Sequence, residues 1–88
     1  MTDAWGWEYD PDPEYVIGGI DSLAFIAKVE ERADELVRAA SALYLDGTKY
    51  EGLSPRMQNE PIDASGVLTY QVIPRSQRVY IRKVIFLD

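Results

Sequence analysis

The chain has 88 residues, which suffices for one domain with a single hydrophobic core, and we treat residues 1–88 as that domain. It contains no cysteine and no histidine, which excludes disulfides, thiol nucleophiles, the usual zinc sites and histidine-based acid–base catalysis. No apolar run approaches the roughly 20 residues that span a bilayer. We therefore expect a cytoplasmic protein without metal, cofactor or membrane contact.

The net charge of −6 is unevenly distributed along the chain. Residues 1–46 carry eleven acidic and three basic side chains, whereas residues 47–88 carry four acidic and six basic ones. A net negative charge normally argues against nucleic-acid binding, which relies on clustered lysine and arginine. The concentration of positive charge in the second half weakens that objection.

The first predicted element is a strand at AWGWEY, where Trp5, Trp7 and Tyr9 alternate with glycine and glutamate. We expect these aromatic side chains to belong to the core rather than to a binding strip, because a long apolar helix follows them. The DPDP sequence ends the strand. Pro13 suits the first turn of a short helix that ends at Gly18.

A long amphipathic helix is predicted over about residues 22–45, with Asp21 or Ser22 as its N-cap. Its apolar positions recur at steps of three and four residues and are Leu23, Ile26, Val29, Ala33, Leu36, Val37, Ala40, Leu43 and Tyr44. The predicted solvent face carries Lys28, Glu30, Glu31, Asp34, Glu35 and Arg38. Because this face is mainly acidic, it is one expected partner for basic residues elsewhere in the chain.

The segment after the long helix is difficult to interpret, because Gly52, Pro55 and Pro61 interrupt every long periodic pattern in residues 47–65. We predict only an edge strand around residues 56–60. A proline lacks the backbone N–H that a central strand must donate, so an edge position is the one that tolerates it.

The following segment predicts a β-hairpin, with strands near residues 67–73 and 78–87 joined by a Pro-Arg-Ser-Gln turn. The last strand is apolar on both faces, which indicates a central position in the sheet. Strict alternation would place on one face Val79, Ile81 and Ile85, and on the other Tyr80, Val84 and Phe86.

Together these elements predict an α+β fold. We expect a small twisted antiparallel sheet of three or four strands that packs on an N-terminal helical hairpin. The predicted element order is β-α-α-(β)-β-β, where the strand in parentheses is the uncertain edge strand.

This element order and the segment LTYQVIPRSQRVYIRKV resemble the RelE/ParE superfamily of bacterial toxins. The residues that carry the resemblance are Tyr70, Val72, Val79, Ile81, Arg82 and Val84. The resemblance implies the toxin component of a toxin–antitoxin pair, with a cognate antitoxin protein as its partner. For the RelE branch it also implies ribosome-dependent cleavage of messenger RNA.

The resemblance further implies that basic side chains on the sheet hold a phosphate of the RNA and stabilise its charge. The implied catalytic residues are Arg78, Arg82 and Tyr80, with Tyr70 as the other tyrosine near the leaving group. The implied RNA-binding or phosphate-binding residues are Arg56, Arg75 and Lys83. Alternation places Lys83 on the opposite face of the strand from the two catalytic arginines.

Three interpretations of the basic hairpin remain open. It forms a solvated face that pairs with the acidic helix, or it binds RNA phosphates, or it docks an acidic partner segment. The alternative functional class is a non-catalytic protein-interaction domain with a RelE-like fold. The uncovered apolar surface of the helix also predicts either a homodimer or a bound antitoxin segment.

Overall fold

The computed structural model describes residues 5–43 and 57–87, which fold as the α+β arrangement that the sequence predicts. The elements are β1 (Gly6–Tyr9), α1 (Pro13–Ile17), α2 (Leu23–Leu43), β2 (Met57–Ile62), β3 (Gly66–Ile73), a 3₁₀ turn (Pro74–Ser76) and β4 (Arg78–Phe86). The predicted element order is therefore confirmed, including the edge strand before the hairpin. The predicted last turn of the long helix and Arg56 lie outside the described residues.

The four strands form one sheet in the order β1-β4-β3-β2, so β4 is central as predicted. The pairs β2–β3 and β3–β4 are antiparallel, as a hairpin requires. The pair β1–β4 is parallel, with Gly6 opposite Arg78 and Tyr9 opposite Ile81. The sheet is therefore mixed, and the prediction of an antiparallel sheet was wrong for this pair, because β1 runs parallel to its neighbour β4.

Both helices begin at side-chain caps, and Ser22 at the start of α2 is one of the two candidates that the sequence predicts. The Asp12 carboxylate accepts a hydrogen bond from the Tyr15 backbone N–H at 2.8 Å, and Pro13 occupies the first turn of α1. The Ser22 hydroxyl accepts from the Phe25 backbone N–H at 3.1 Å at the start of α2. Each cap satisfies an N–H that has no partner within its helix.

The core lies between α2 and one face of the sheet. Val29 and Ala33 of α2 are fully buried, as are Leu68 of β3 and Val79 and Ile81 of β4. Branched side chains from the helix and from the two central strands thus fill one continuous core. Burial of such side chains is the main stabilising term of a domain of this size.

The aromatic residues of β1 belong to this core, as predicted. Tyr9 is buried, and Trp5 and Trp7 are partly buried against the same cluster. The helix differs from the prediction at its first turn, where Leu23 is 80% exposed and Phe25 is buried instead. The apolar stripe of α2 therefore begins at Phe25, and Leu23 lies on the other side of the helix because consecutive residues turn by about 100°.

A β-bulge interrupts the pairing of β3 with β4. Thr69 pairs with Lys83, but the next residue of β3, Tyr70, pairs with Ile81. Arg82 is therefore the extra residue on the β4 side of the bulge. Beyond it, the alternation of β4 is shifted by one residue.

The shift changes which face each side chain of β4 occupies. Val84 lies opposite the fully buried Leu68, and the Phe86 ring lies 4.6 Å from the Phe25 ring, centroid to centroid. The α2 side of β4 therefore carries Val79, Ile81, Val84 and Phe86. The prediction that Val84 and Phe86 share a face with Tyr80 was wrong, because strict alternation does not account for a bulge.

Candidate functional site

The sheet face opposite α2, hereafter the exposed sheet face, carries most of the predicted site residues. Arg78 and Tyr80 alternate with the buried Val79 and Ile81, so both point away from the core. The polar residues of β1, β3 and β4 on this face are Glu8, Thr69, Gln71, Arg78, Tyr80, Arg82 and Lys83. Arg78, Tyr80 and Arg82 thus share one face, as the alternation of residues 78, 80 and 82 along the strand predicts.

Arg78 forms an ion pair with Glu8, with 3.3 Å between its Nε and the Glu8 Oε2. The parallel register places Glu8 opposite Tyr80, which is two residues after Arg78 on the same face of β4. The Glu8 and Arg78 side chains therefore meet on that face. The Arg78 Nη1 also donates to the Gln77 carbonyl oxygen at 3.0 Å. The side chain is 36% exposed, so it remains partly accessible to solvent.

Arg82 forms the corresponding ion pair with Asp10. The Asp10 backbone N–H donates to the Ile81 carbonyl oxygen at 3.0 Å, which extends the β1–β4 pairing beyond Tyr9 and places Asp10 beside the bulge. Both side chains are about one-third exposed. A pair with this exposure is screened by water and contributes little to stability.

The acidic residues of α2 are not the partners of these arginines, contrary to one of the three interpretations. Glu30 accepts a hydrogen bond from the Tyr9 hydroxyl at 3.0 Å, and Asp34 accepts from the Trp7 indole N–H at 2.9 Å. Arg78 and Arg82 lie on the other side of the sheet. The two arginines of β4 are instead paired with carboxylates on β1 and in the turn that follows it.

The tyrosines named in the sequence analysis lie on different faces. The Tyr80 hydroxyl lies 3.4 Å from the Ser76 hydroxyl on the exposed sheet face. Tyr70 is buried on the α2 side, and its hydroxyl lies 3.4 Å from the Gln58 side-chain oxygen. Burial, and secondarily the charge of Glu60, raise the pKa of Tyr70. The assignment of Tyr70 to the same site as the arginines was therefore wrong.

The remaining predicted residues are placed as follows. Arg75 is exposed in the 3₁₀ turn at the tip of the hairpin. Lys83 lies on the exposed sheet face beside Arg82, and not on the opposite face as predicted, because the bulge turns two consecutive side chains to one side. Arg56 lies outside the described residues, so its assignment stays a prediction.

A groove of about 450 Å³ opens on this face, between the turn after β1, the short helix α1 and the strands. Most of the surface that lines the groove is apolar. The lining residues are Asp10, Pro11, Tyr15, Met57, Thr69, Arg82 and Lys83. Tyr15 is 73% exposed and Met57 is 54% exposed, so the groove brings two exposed large side chains together. The groove therefore combines apolar walls with two adjacent cations and one carboxylate.

The charges on the exposed sheet face do not form a metal site. Within residues 5–43 and 57–87, no three acidic side chains are grouped so that they could hold a metal ion. The same part of the chain contains no helix long and apolar enough to cross a membrane. The chemistry available here is that of arginine, lysine and tyrosine, with Glu8 and Asp10 as counterions.

Glu8 and Asp10 are the site residues that the sequence interpretation missed. The alternation of the first strand does place Glu8 opposite the aromatic side chains, which was the available signal. Glu8 becomes a partner of Arg78 only through the parallel pairing of β1 with β4, and no local sequence pattern predicts that pairing.

Comparison of the chain with protein-family models, curated proteins and solved structures finds no match.

Proposed function

We propose that the protein is a RelE/ParE-like toxin-type domain that acts by binding a protein partner, rather than by cutting RNA. The observation that carries this proposal is the pairing of Arg78 with Glu8 and of Arg82 with Asp10 on the exposed sheet face. Each carboxylate offsets the charge of one guanidinium. The two arginines therefore offer hydrogen-bond donors and planar surfaces, but little net positive charge.

Cleavage of RNA at phosphorus needs the opposite arrangement. The transition state concentrates negative charge on the phosphoryl oxygens, and charge stabilisation by nearby cations is usually the largest catalytic term. The carboxylates of Glu8 and Asp10 beside the arginines would oppose that stabilisation. The chain also contains no histidine, which is the commonest general acid or base.

A protein partner makes different demands. Arginine and tyrosine are enriched at the centres of protein interfaces, because both present large flat surfaces together with hydrogen-bond donors. Arg78, Tyr80 and Arg82 lie in a row on a central strand, and the half-exposed Gln71 faces Tyr80 on β3. This row is a suitable centre for an interface with a cognate antitoxin or with another target protein.

The second candidate function is ribosome-dependent cleavage of messenger RNA. The observation that favours it is that Arg78, Tyr80 and Arg82 share one exposed face, with the Tyr80 hydroxyl beside Ser76. For this function, the bound RNA would have to displace Glu8 and Asp10 from the arginines. Partly exposed ion pairs can be exchanged in this way at low cost.

Translating ribosomes that carry a defined messenger RNA test the choice between the two functions. We expect the purified protein to produce no new 5′ ends by primer extension. New ends that disappear in the Arg82→Ala and Tyr80→Phe variants would overturn the proposal in favour of cleavage.

Binding is tested with the co-expressed product of the neighbouring gene, which the RelE/ParE resemblance suggests as an antitoxin. We expect the Arg78→Ala/Arg82→Ala variant to weaken this complex by about tenfold or more, as measured by calorimetry. The matched control is Lys28→Ala/Arg38→Ala, which removes the same charge from exposed positions of α2. Equal weakening by both double variants would mean that the affinity depends only on net charge, which would contradict binding through the exposed sheet face.

A further inference from the structure

We infer that the groove beside α1 is the anchor site for the partner protein, and that it takes a segment in which an apolar side chain is followed by acidic ones. This inference rests on the proposed function and specifies which part of the partner contacts which part of the face. The observations that carry it are the lining of the groove, the exposure of its walls and its charge.

The walls of the groove suit an apolar side chain. Pro11, Tyr15 and Met57 line it, and the last two are exposed although each is large enough to bury substantial area in a core. Exposed apolar side chains that line one concavity are typical of interaction sites, whereas scattered ones need no explanation. Methionine also adapts its shape to different partners.

The charge of the groove suits an acidic neighbour. Arg82 is paired with Asp10, and Lys83 has no ion-pair partner among the described residues. One ammonium group is therefore available at the rim of an otherwise balanced groove. A carboxylate on the bound segment would meet that group, while an apolar side chain lies against Tyr15 and Met57.

The same charge count disfavours nucleic acid as the occupant. Binding to nucleic acid depends on several phosphate contacts and on the release of their counterions. Here a single ammonium is uncompensated in the groove, and the carboxylate of Asp10 would repel a phosphate backbone. The net charge of −6 adds a long-range repulsion. A short polypeptide contact needs only one complementary charge.

An NMR titration of the whole chain tests this inference, with backbone amide shifts as the readout. The probe is a short synthetic peptide with the sequence leucine-glutamate-glutamate in a glycine–serine background, and its twin contains glutamine instead of glutamate. We expect shifts at Tyr15, Thr69 and Lys83, and an affinity about threefold to fivefold higher for the glutamate peptide. Lys83→Ala should remove that preference, while Lys28→Ala, which removes the same charge from α2, should preserve it.

The apolar contact is tested separately. Tyr15→Ala should weaken both peptides by about fivefold to tenfold, since it removes one of the apolar side chains that line the groove. Leu23→Ala, which removes a side chain that is equally exposed outside the groove, should change neither affinity. All four substitutions are at exposed positions, and the amide spectrum of each variant reports whether its fold is intact.

Several outcomes would overturn the inference. A short oligouridylate that binds the groove more tightly than the glutamate peptide would identify a nucleic-acid site. Groove shifts that appear on concentrating the protein alone would identify a second copy as the occupant. Shifts confined to Arg78, Tyr80 and Gln71 would show that the peptide binds the exposed sheet face outside the groove. That result would overturn the groove as the anchor site but would leave the proposed function in place.

Discussion

The hydroxyl of Tyr9 donates a 3.0 Å hydrogen bond to the Glu30 carboxylate, and this contact joins the end of β1 to the middle of α2. One helical turn further along, the Trp7 indole N–H donates to Asp34 at 2.9 Å. The Trp7 and Tyr9 rings also contact each other edge to face, with 5.0 Å between their centroids. The acidic residues of α2 therefore orient the aromatic residues of β1, and do not neutralise the basic hairpin.

Tyr9 should make the stability of the protein sensitive to alkaline pH. Burial, together with the hydrogen bond and charge of Glu30, raises the pKa of Tyr9 well above its ordinary value of 10.0. Above that value the unfolded chain releases the phenol proton and the folded chain keeps it. The free energy of unfolding should then fall with rising pH, by up to about 1.4 kcal/mol per pH unit for this group.

Urea unfolding of the wild type and of Tyr9→Phe across pH 8 to 11 measures this effect. The variant should lose about 1 kcal/mol at neutral pH, because it lacks the hydrogen bond, and should have the shallower alkaline slope. Tyr15→Phe is the control, since Tyr15 is largely exposed. Identical alkaline slopes for the wild type and Tyr9→Phe would contradict the assignment.

Gly66 should tolerate no side chain. A Cβ at this position would lie 2.7 Å from the Phe25 ring and closer still to the Ile85 carbonyl oxygen. Gly66→Ala should therefore lower the free energy of unfolding by about 2 to 3 kcal/mol. Gly19→Ala is a matched control, because a Cβ there meets nothing within 4 Å. Denaturant unfolding that found the two variants equally stable would disprove the close packing at the start of β3.

Truncation of Val29 should destabilise the protein much more than truncation of Leu23, although both lie on α2. Val29 is fully buried and Leu23 is 80% exposed. We expect Val29→Ala to cost about 2 kcal/mol of stability through lost burial and an incompletely filled space. Leu23→Ala should remain within about 0.5 kcal/mol of the wild type, despite removing the larger side chain. Thermal or urea unfolding of both variants measures the contrast.

The Arg82–Asp10 ion pair should contribute little to the stability of the fold. A double-mutant cycle with Arg82→Gln and Asp10→Asn should give a coupling energy of about 0.2 to 1 kcal/mol in low salt. The coupling should nearly vanish in about 1 M salt, where charges are screened within roughly 3 Å. A cycle between Asp10 and Arg75 serves as the control and should show no coupling. A salt-independent coupling of several kcal/mol would contradict this view.

The fold was largely predictable from local signals. Alternation identified β1, β3 and β4, the three-and-four spacing identified α2, and Pro13 and Ser22 marked where the helices begin. The central position of β4 was also predicted, although the structure places most of its apolar side chains on the α2 side rather than on both faces. These features depend on residues that are close together in the sequence, because they follow from hydrophobic burial and from local backbone geometry.

The details of the site were less predictable, because they depend on long-range pairing. The bulge at Arg82 places Val84 on the α2 side of the sheet and Ile85 on the exposed face, and the alternating sequence does not predict this bulge. The partners of Arg78 and Arg82 follow from the parallel register of β1 on β4, which joins residues from opposite ends of the described chain. A sequence pattern reports which residues carry charge, but not which of them meet.

The parallel pairing of β1 with β4 also sets the order in which the protein can fold during synthesis. The chain emerges from the ribosome with β1 first, yet its sheet partner, residues 78–81, is synthesised much later. Until then, the Trp5 and Trp7 rings lack the strand that completes their packing surface, and Glu8 and Asp10 lack their arginines. The sheet can therefore be completed only after β4 has been synthesised, and this pairing carries the longest loop-closure cost of the described sheet.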